Sequence, residues 1–389
     1  MSDIFDPKSK VLANADRAIE FIETGNASPV LIEVDPSNAC NHACSFCLSS
    51  YIHFDKYRGT ETFSRALMPK DMLMKLCEDF VDMGVRAVNW TGGGEPTLNS
   101  HLKEAIEYCG SNDIKMGIFT NGTLLDKHDL FETMVENMTW VRVSVDSGTK
   151  ETYDSVRVPK GGANWDRMVS NVTKLIEVND SKNKKIDIGV GFVISPDTYH
   201  EIVDFAKFFR DFDLTYCQYK PEIIIREDGG QQRDIEFWQG KVQPLLDEAK
   251  EILGEKFEVN GYKLEDLAMD RKEFGRNYKK CLGSQISPCV GADGHVYVCT
   301  NHRGWKQYSY GCLYDNKSFK EIWNDIQTRQ KVMNQIECVE CFANCTKLCK
   351  PHESNKAMWD IYNSTEEERK KLLDRQEEIR QNIKHPDFI

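Results

Sequence analysis

DPSNACNHACSFC, residues 35–47, decides how the chain is read. It follows Val30-Leu31-Ile32-Glu33-Val34, an apolar run that reads as a strand, so Cys40, Cys44 and Cys47 fall in the loop at that strand's C-terminal end. Barrel enzymes build their active sites at that end. A full set of four cysteines ligates every iron of a cubane cluster. No fourth cysteine lies nearby, so the three thiols suit a cluster with one iron left free. The spacing alone also suits a structural zinc knot.

Working outward, the next strand, Val85 to Trp90, runs into Thr91-Gly92-Gly93-Gly94-Glu95-Pro96. Three glycines let the backbone approach a ligand closely, Glu95 can accept from an ammonium group, and Pro96 stiffens the exit. By itself the stretch is a glycine-rich turn; one βα unit behind the cysteine loop it becomes a candidate amino-acid clamp. Further strands are expected at Lys115 to Phe119, Trp140 to Val145, Asp187 to Ile194 and Thr215 to Tyr219. Between them Pro69 to Asp82, His101 to Gly110, Lys127 to Asn137, Trp165 to Val178 and Tyr199 to Phe212 carry helical apolar spacing. Alternating strands and helices predict a parallel sheet with crossover helices. The fold class is therefore α/β, a partial (βα)6 TIM-type barrel over residues 30–220, with a cysteine-rich α+β domain behind it. Residues 1–29 are an N-terminal extension and 221–280 a linker and helical region. Residues 281–350 hold the cysteines, and 351–389 close the chain as a solvated helix.

The 389 residues can bury a sizeable core. A formal net charge of -12 argues against a nucleic-acid surface. No window approaches a membrane span, and MSDIFDPKSK has no basic-then-apolar export pattern. A cytoplasmic location is expected. There a disulfide framework is disfavoured, and the 14 cysteines point to metal or cluster ligation. Cys77, Cys109 and Cys217 stand apart and read as small buried residues.

The cysteine run and the glycine loop together resemble the radical SAM family, whose pattern is Cys-x3-Cys-x-aromatic-Cys after the first barrel strand and a GGE-type loop after the second. Here these are Cys40, Cys44, Phe46, Cys47 and Gly93, Gly94, Glu95. The resemblance implies a four-iron four-sulfur cluster on the three thiolates, with S-adenosylmethionine (SAM) on the open iron, Phe46 beside its adenine, and Gly93 to Glu95 at its amine. Electron transfer into SAM would then generate a 5′-deoxyadenosyl radical that takes hydrogen from a substrate. Less distinctive matches are Thr120 and Asn121, Ser144 and Asp146, and Gly191 with Ile194. Ser144 and Asp146 would lie near the SAM ribose or carboxylate. TNG and DSG are also ordinary turn formers.

Eight cysteines follow: Cys281, Cys289, Cys299, Cys312, Cys338, Cys341, Cys345 and Cys349. A zinc ribbon needs four; eight match two cubane clusters, and GADGHVYVC reads as a hairpin with Gly294 at its turn. The segment resembles the SPASM extension of radical SAM enzymes. By that pattern Cys281, Cys289, Cys299 and Cys349 bind the inner auxiliary cluster and Cys338, Cys341 and Cys345 the outer; Cys312, the one spare thiol, is the expected fourth outer ligand, with His352 or an exogenous ligand as rivals. The gap after Cys338-x2-Cys341 is shorter than usual, and no cysteine follows Cys349. The pairing of Cys281, Cys289, Cys299 and Cys312 on one cluster stays open.

Function divides three ways. Auxiliary clusters suit oxidation or crosslinking of a peptide side chain; with 39 residues before Cys40, a peptide is expected to need a separate recognition protein or direct binding. A small polar metabolite, a sugar, aminocyclitol or nucleotide, is the alternative, with Glu222, Arg226, Glu227 and Asp228 as acid-base helpers and Arg157 and Lys160 as an anion site or plain solvated charges. A non-catalytic iron-sulfur protein is the third. Without a flavin or nicotinamide fingerprint, flavodoxin or ferredoxin is the expected electron donor.

Overall fold

The computed structural model describes residues 6–47, 49, 67–162, 164–222, 236–259, 276, 278–336, 349 and 351–389. Cys338, Cys341, Cys345, Arg226, Glu227 and Asp228 lie outside the described residues. The chain enters through α1 (Pro7–Leu12) and α2 (Ala15–Thr24). It then alternates β1 (Leu31–Val34), α3 (Lys70–Asp82), β2 (Ala87–Trp90), α4 (Leu102–Ser111), β3 (Lys115–Thr120), α5 (Leu130–Asn137), β4 (Trp140–Ser144), α6 (Lys150–Arg157), α7 (Trp165–Ser181), β5 (Asp187–Ile194), α8 (Ile202–Phe209) and β6 (Tyr216–Pro221). β1 to β6 pair in parallel and in sequence order, the expected partial barrel.

Alternation along each strand separates two environments. Ile32, Val34, Val88, Trp90, Met116, Ile118, Val141, Val143, Ile188, Val190 and Phe192 face the helices and join Leu73, Phe80, Ile106, Met134 and Leu175 in one core. The other face points into the barrel, where Leu31, Ala87 and Trp140 meet Met358, Ile361, Phe388 and Ile389. Gly117 makes room for this floor, since a Cβ there would fall 2.1 Å from the Trp140 ring.

After β6 come α9 (Gln243–Leu253) and a short strand that the apolar pattern does not reveal, β7 (Phe257–Val259), parallel to β6. The cysteine-rich segment opens with β8 (Cys289–Val290), β9 (His295–Tyr297) and β10 (Ser309–Cys312). β8 and β9 form the expected hairpin, with Gly294 at φ +77° in its turn. The hairpin is joined to the barrel: β8 lies parallel to β1, with Glu33 opposite Cys289, and the amides of Glu33 and Asp35 donate to the carbonyls of Pro288 and Val290 at 3.0 and 2.8 Å. The exposed edge of β1 is thereby paired. The sheet runs β10-β9-β8-β1-β2-β3-β4-β5-β6-β7.

Among the described residues, four helices complete the chain: α10 (Phe319–Asn324), α11 (Ile326–Met333), α12 (His352–Asn363) and α13 (Glu366–Gln381). The closing helix expected from sequence is thus two. Thr365 starts α13 with a reciprocal cap, its hydroxyl accepting from the Glu368 amide and its amide donating to the Glu368 carboxylate. α1 and α2 pack on α12 and α13. The last residues then pass under the barrel: Phe388 lies 5.5 Å from Trp140, and Asp187 receives His385 Nε2 at 2.5 Å and Lys384 Nζ at 2.7 Å. This closes the end of the barrel opposite the cysteine loop. Among the described residues, no helix is long and apolar enough to cross a membrane.

Candidate active site

Cys40, Cys44 and Cys47 are half-buried free thiols on the loop leaving β1. The loop is fixed by the backbone of residues 156–160: Ala43 donates to the carbonyls of Arg157 and Val158, Ser45 to Val156, and Lys160 to Asn41. A turn closed by the Cys47 amide on the Cys44 carbonyl at 3.2 Å carries half-buried Phe46. Burial pushes the Cys40 thiol up to about 12 and raises Cys44 and Cys47, so ligating a metal there must displace protons.

The glycine loop lies against this one. Gly94 donates to Ser37 at 3.0 Å and Glu95 to Ala39 at 2.8 Å, and a Cβ on Gly94 would sit 2.0 Å from the Ala39 carbonyl oxygen. Glu95 turns its carboxylate inward, accepting from the hydroxyls of Thr97 and Thr120 at 2.6 Å each and the Asn121 amide at 2.8 Å. Burial raises its pKa, and these hydrogen bonds oppose that shift. Asn121 Nδ2 donates to Asn41 Oδ1 at 2.8 Å, and Asn41 Nδ2 to the Thr123 hydroxyl at 2.8 Å. Glu95, Thr120 and Asn121 therefore lock three loops together, leaving the backbone of Gly92, Gly93 and Gly94 as the surface beside the thiols.

On β4 the sequence points to Ser144 and Asp146, and both stand at the same mouth. Asp146, at φ +65°, accepts from the Val193 amide at 2.7 Å, and its other oxygen pairs with Arg157 Nη1 at 3.1 Å. The same guanidinium donates to the Ser144 carbonyl and reaches Cys44 Sγ at 3.5 Å. Burial works against the Arg157 charge, but Cys44 and Asp146 hold its pKa above the ordinary value. Arg157 is thus a buried cation beside the thiols, where the charge pattern also allowed a solvated residue; exposed Lys160 holds the Cys40 carbonyl at 3.1 Å. Ile194 is not brought to this mouth: its side chain is fully buried in the helix-facing core.

Behind β1, Asp35 and Arg303 form a buried pair at 2.8 Å that links the two cysteine regions. Burial lifts Asp35 to about 6 against the pull of Arg303. Cys299 Sγ lies 3.1 Å from His302 Nδ1, and Cys281 Sγ accepts from Asn355 at 3.3 Å. A small, partly open cavity is lined by Gly283, Ser287, Cys299, Pro351 and Glu33 among others. Those positions lie next to or on the segments bearing Cys281, Cys289, Cys299 and Cys349. Cys312 sits on β10, its Sγ 3.8 Å from the Asp293 carbonyl. Cys77, Cys109 and Cys217 are fully buried, as expected. Among the described residues, no three His, Cys, Asp or Glu side chains are gathered as around a single metal ion.

The inner wall of β4 and β6 carries residues the sequence reading passed over, Arg142, Gln218 and Lys220. Their signal was parity: each lies an even number of residues from an inward-facing aromatic, Trp140 or Tyr216.

A family model for the Radical SAM superfamily matches residues 34–209, from the end of β1 to the end of α8. The barrel segment thus matches the radical SAM superfamily. Mycofactocin maturase MftC of Mycolicibacterium smegmatis is 26% identical, over 51% of this chain and 46% of that protein. The chain thus spans about half the length of that relative. The serine-type anaerobic sulfatase-maturating enzyme of Bacteroides thetaiotaomicron is 28% identical over 81% of this chain and 80% of its own, a match too long for the barrel alone. Streptococcus suis SuiB, solved bound to precursor peptide SuiA, shares the fold, with a TM-score of 0.60 at 15% identity over 85% of this chain and 74% of that one. The likeness thus extends behind the barrel, and the radical SAM match implies SAM and a four-iron four-sulfur cluster.

Proposed function

We propose that the protein is a radical SAM enzyme that oxidises or crosslinks a peptide or protein side chain. One observation carries the reading: three free thiols, the glycine loop and a buried guanidinium are fixed around one mouth of a barrel whose far end is closed. The donor set fits the implied cluster, since three soft thiolates suit iron-sulfur ligation and leave one iron free. Cys40, Cys44 and Cys47 hold it, and the bound cluster with SAM supplies a strong hydrogen-abstracting radical. The backbone of Gly93 to Glu95 receives the SAM amine and Phe46 its adenine. Ser144 and Arg157 receive its carboxylate, and Asp146 keeps Arg157 in place. Thr120 and Asn121 act through Glu95 by holding the glycine loop. The closed floor of Trp140, Phe388 and Ile389 excludes water from below.

For the extension, we assign Cys281, Cys289, Cys299 and Cys349 to one auxiliary cluster, on the cavity that their segments surround. Cys338, Cys341, Cys345 and Cys312 are left for a second. Glu33 lines that cavity and also bonds Asn89 inside the barrel at 3.0 Å, so an auxiliary cluster there is adjacent to the substrate chamber and suited to accept an electron. A peptide substrate is favoured over a small metabolite because the relatives are named as maturases and SuiB was solved with a precursor peptide. A flavodoxin or ferredoxin is the proposed electron donor, in the cytoplasm.

The test is anaerobic incubation of the reconstituted protein with SAM and dithionite. 5′-Deoxyadenosine should form above background and disappear in Cys44→Ala. None from a fully loaded protein refutes the enzyme reading.

A further inference from the structure

We infer that Arg142, Gln218 and Lys220 form a carboxylate-binding subsite inside the barrel that holds an acidic group of the substrate. The inference deepens the proposed function, for which the barrel interior is the substrate chamber. The three residues come together through strand register. Ser144 lies opposite Gly191, Gly191 opposite Gln218, and Val193 opposite Lys220, so the inward faces of β4, β5 and β6 adjoin. Gly191 leaves the space between them open: a Cβ there would only touch the Arg142 side chain at 3.7 Å. Across that space Arg142 Nη1 donates to Gln218 Oε1, while its guanidinium carbon stands 4.0 Å over the Phe119 ring.

That arrangement fixes the plane of the guanidinium without neutralising it. Nε of Arg142 is buried and has no hydrogen-bond acceptor. Among the described residues, neither Arg142 nor Lys220 has a carboxylate within ion-pair distance; Asp146 is taken by Arg157, and Glu33 accepts from Asn89. Two partly buried cations with no counter-ion among the described residues are costly, and an anion relieves that cost. Lys220 bears the mark of this field: burial, with the Arg142 and Arg157 charges adding to it and Asp146 opposing, brings its ammonium down to about 7. With Nη1 engaged by Gln218, the guanidinium presents its Nε–Nη2 edge, whose two parallel donors match the two oxygens of a carboxylate. A bound acid restores the Lys220 proton, so binding tightens as pH falls from about 8 to about 6, where a carboxylate probe stays ionised.

The test uses the cluster-loaded protein with SAM, under anaerobic titration calorimetry. The probes are N-acetylglutamate, its uncharged diamide, and inorganic phosphate. The acid is expected to bind at least about tenfold more tightly than the diamide, more tightly at the lower pH, and more tightly than phosphate. Arg142→Gln and Lys220→Met should each lose about tenfold in acid affinity while SAM affinity stays unchanged. Acid and diamide behaving alike, including no binding of either, overturns the subsite, and this comparison needs no variant to fold. Tighter binding of phosphate, retained acid affinity in both variants, or lost SAM affinity also overturns it. Absence of 5′-deoxyadenosine with acid selectivity intact would sink the radical reading and leave the subsite standing.

Discussion

Gly94→Ala tests the juxtaposition on which the site depends. The added methyl carbon would lie 2.0 Å from the Ala39 carbonyl oxygen, 2.5 Å from its carbon and 2.6 Å from the Asn38 carbonyl carbon, all backbone. Ordinary contact begins well beyond 3 Å, so the glycine loop and the cysteine loop must part by about 1 Å, because no flexible side chain can yield instead. Parting them breaks or weakens the bonds Gly94 to Ser37 and Glu95 to Ala39. Two hydrogen bonds at about 1 kcal/mol each, with overpacking strain of about 1–3 kcal/mol, give a loss of about 3–5 kcal/mol. Equilibrium urea unfolding of the cluster-free protein under reducing conditions reads that loss, and iron content and SAM affinity after reconstitution should both fall. Gly240→Ala is the control, its Cβ 3.6 Å from the Glu236 side chain in a helical turn, and should change stability by less than about 1 kcal/mol. A Gly94→Ala protein within about 0.5 kcal/mol of wild type, with normal iron content, would refute the account of the paired loops.

Arg157→Gln leaves the Asp146 carboxylate, 1% exposed, without its ion-pair partner. The expected cost is about 3–5 kcal/mol in unfolding, with weaker SAM binding by equilibrium dialysis; unchanged SAM affinity would remove Arg157 from the site. At the barrel floor, burial would raise Asp187, but the His385 and Lys384 contacts win and hold it at about 2, below its ordinary 3.8. Because the folded value is the lower one, this contribution is present above about pH 4 and fades as pH falls toward 2. Asp187→Asn should therefore be about 2 kcal/mol less stable at pH 6, with the gap narrowing on acidification in pH-resolved urea melts. Cys312→Ala should lower iron content or alter the cluster spectra on anaerobic reconstitution. An unchanged spectrum excludes Cys312 as a ligand.

Much of this protein was legible in its sequence because its signals are local. Runs of β-branched residues marked β1 to β6 to within a residue or two, since the helix-facing side of each strand is apolar without a break. The three-cysteine spacing and the glycine loop likewise named their chemistry, because ligand type and backbone freedom belong to the residues themselves. β7 and the pairing of β8 with β1 were missed for the complementary reason: two or three residues carry no period, and only an existing edge gives them a partner. The two-helix ending was hidden in a charged run whose single break, at Ser364-Thr365, is set by a cap.

What the tertiary structure alone decided is which partners these residues meet. Charge pattern left Arg157 as a surface cation or an anion site, whereas the return of the α6 end against the cysteine loop buries it between Asp146 and Cys44. Glu95 read as a ligand-facing acid, but the depth of the β2–β3 junction turns it inward, where desolvation is offset by Thr97, Thr120 and Asn121. Arg142 and Lys220 carried no motif, and they acquire meaning because strand register sets them on the adjoining inner faces of β4 and β6. The sequence by itself determined the three-thiol loop, the glycine loop and the order of the strands, which depend on residue type and short-range pattern. Charge pairing, burial and the closed floor formed by Phe388 and Ile389 depend on contacts between residues hundreds of positions apart, and these only the folded chain brings together.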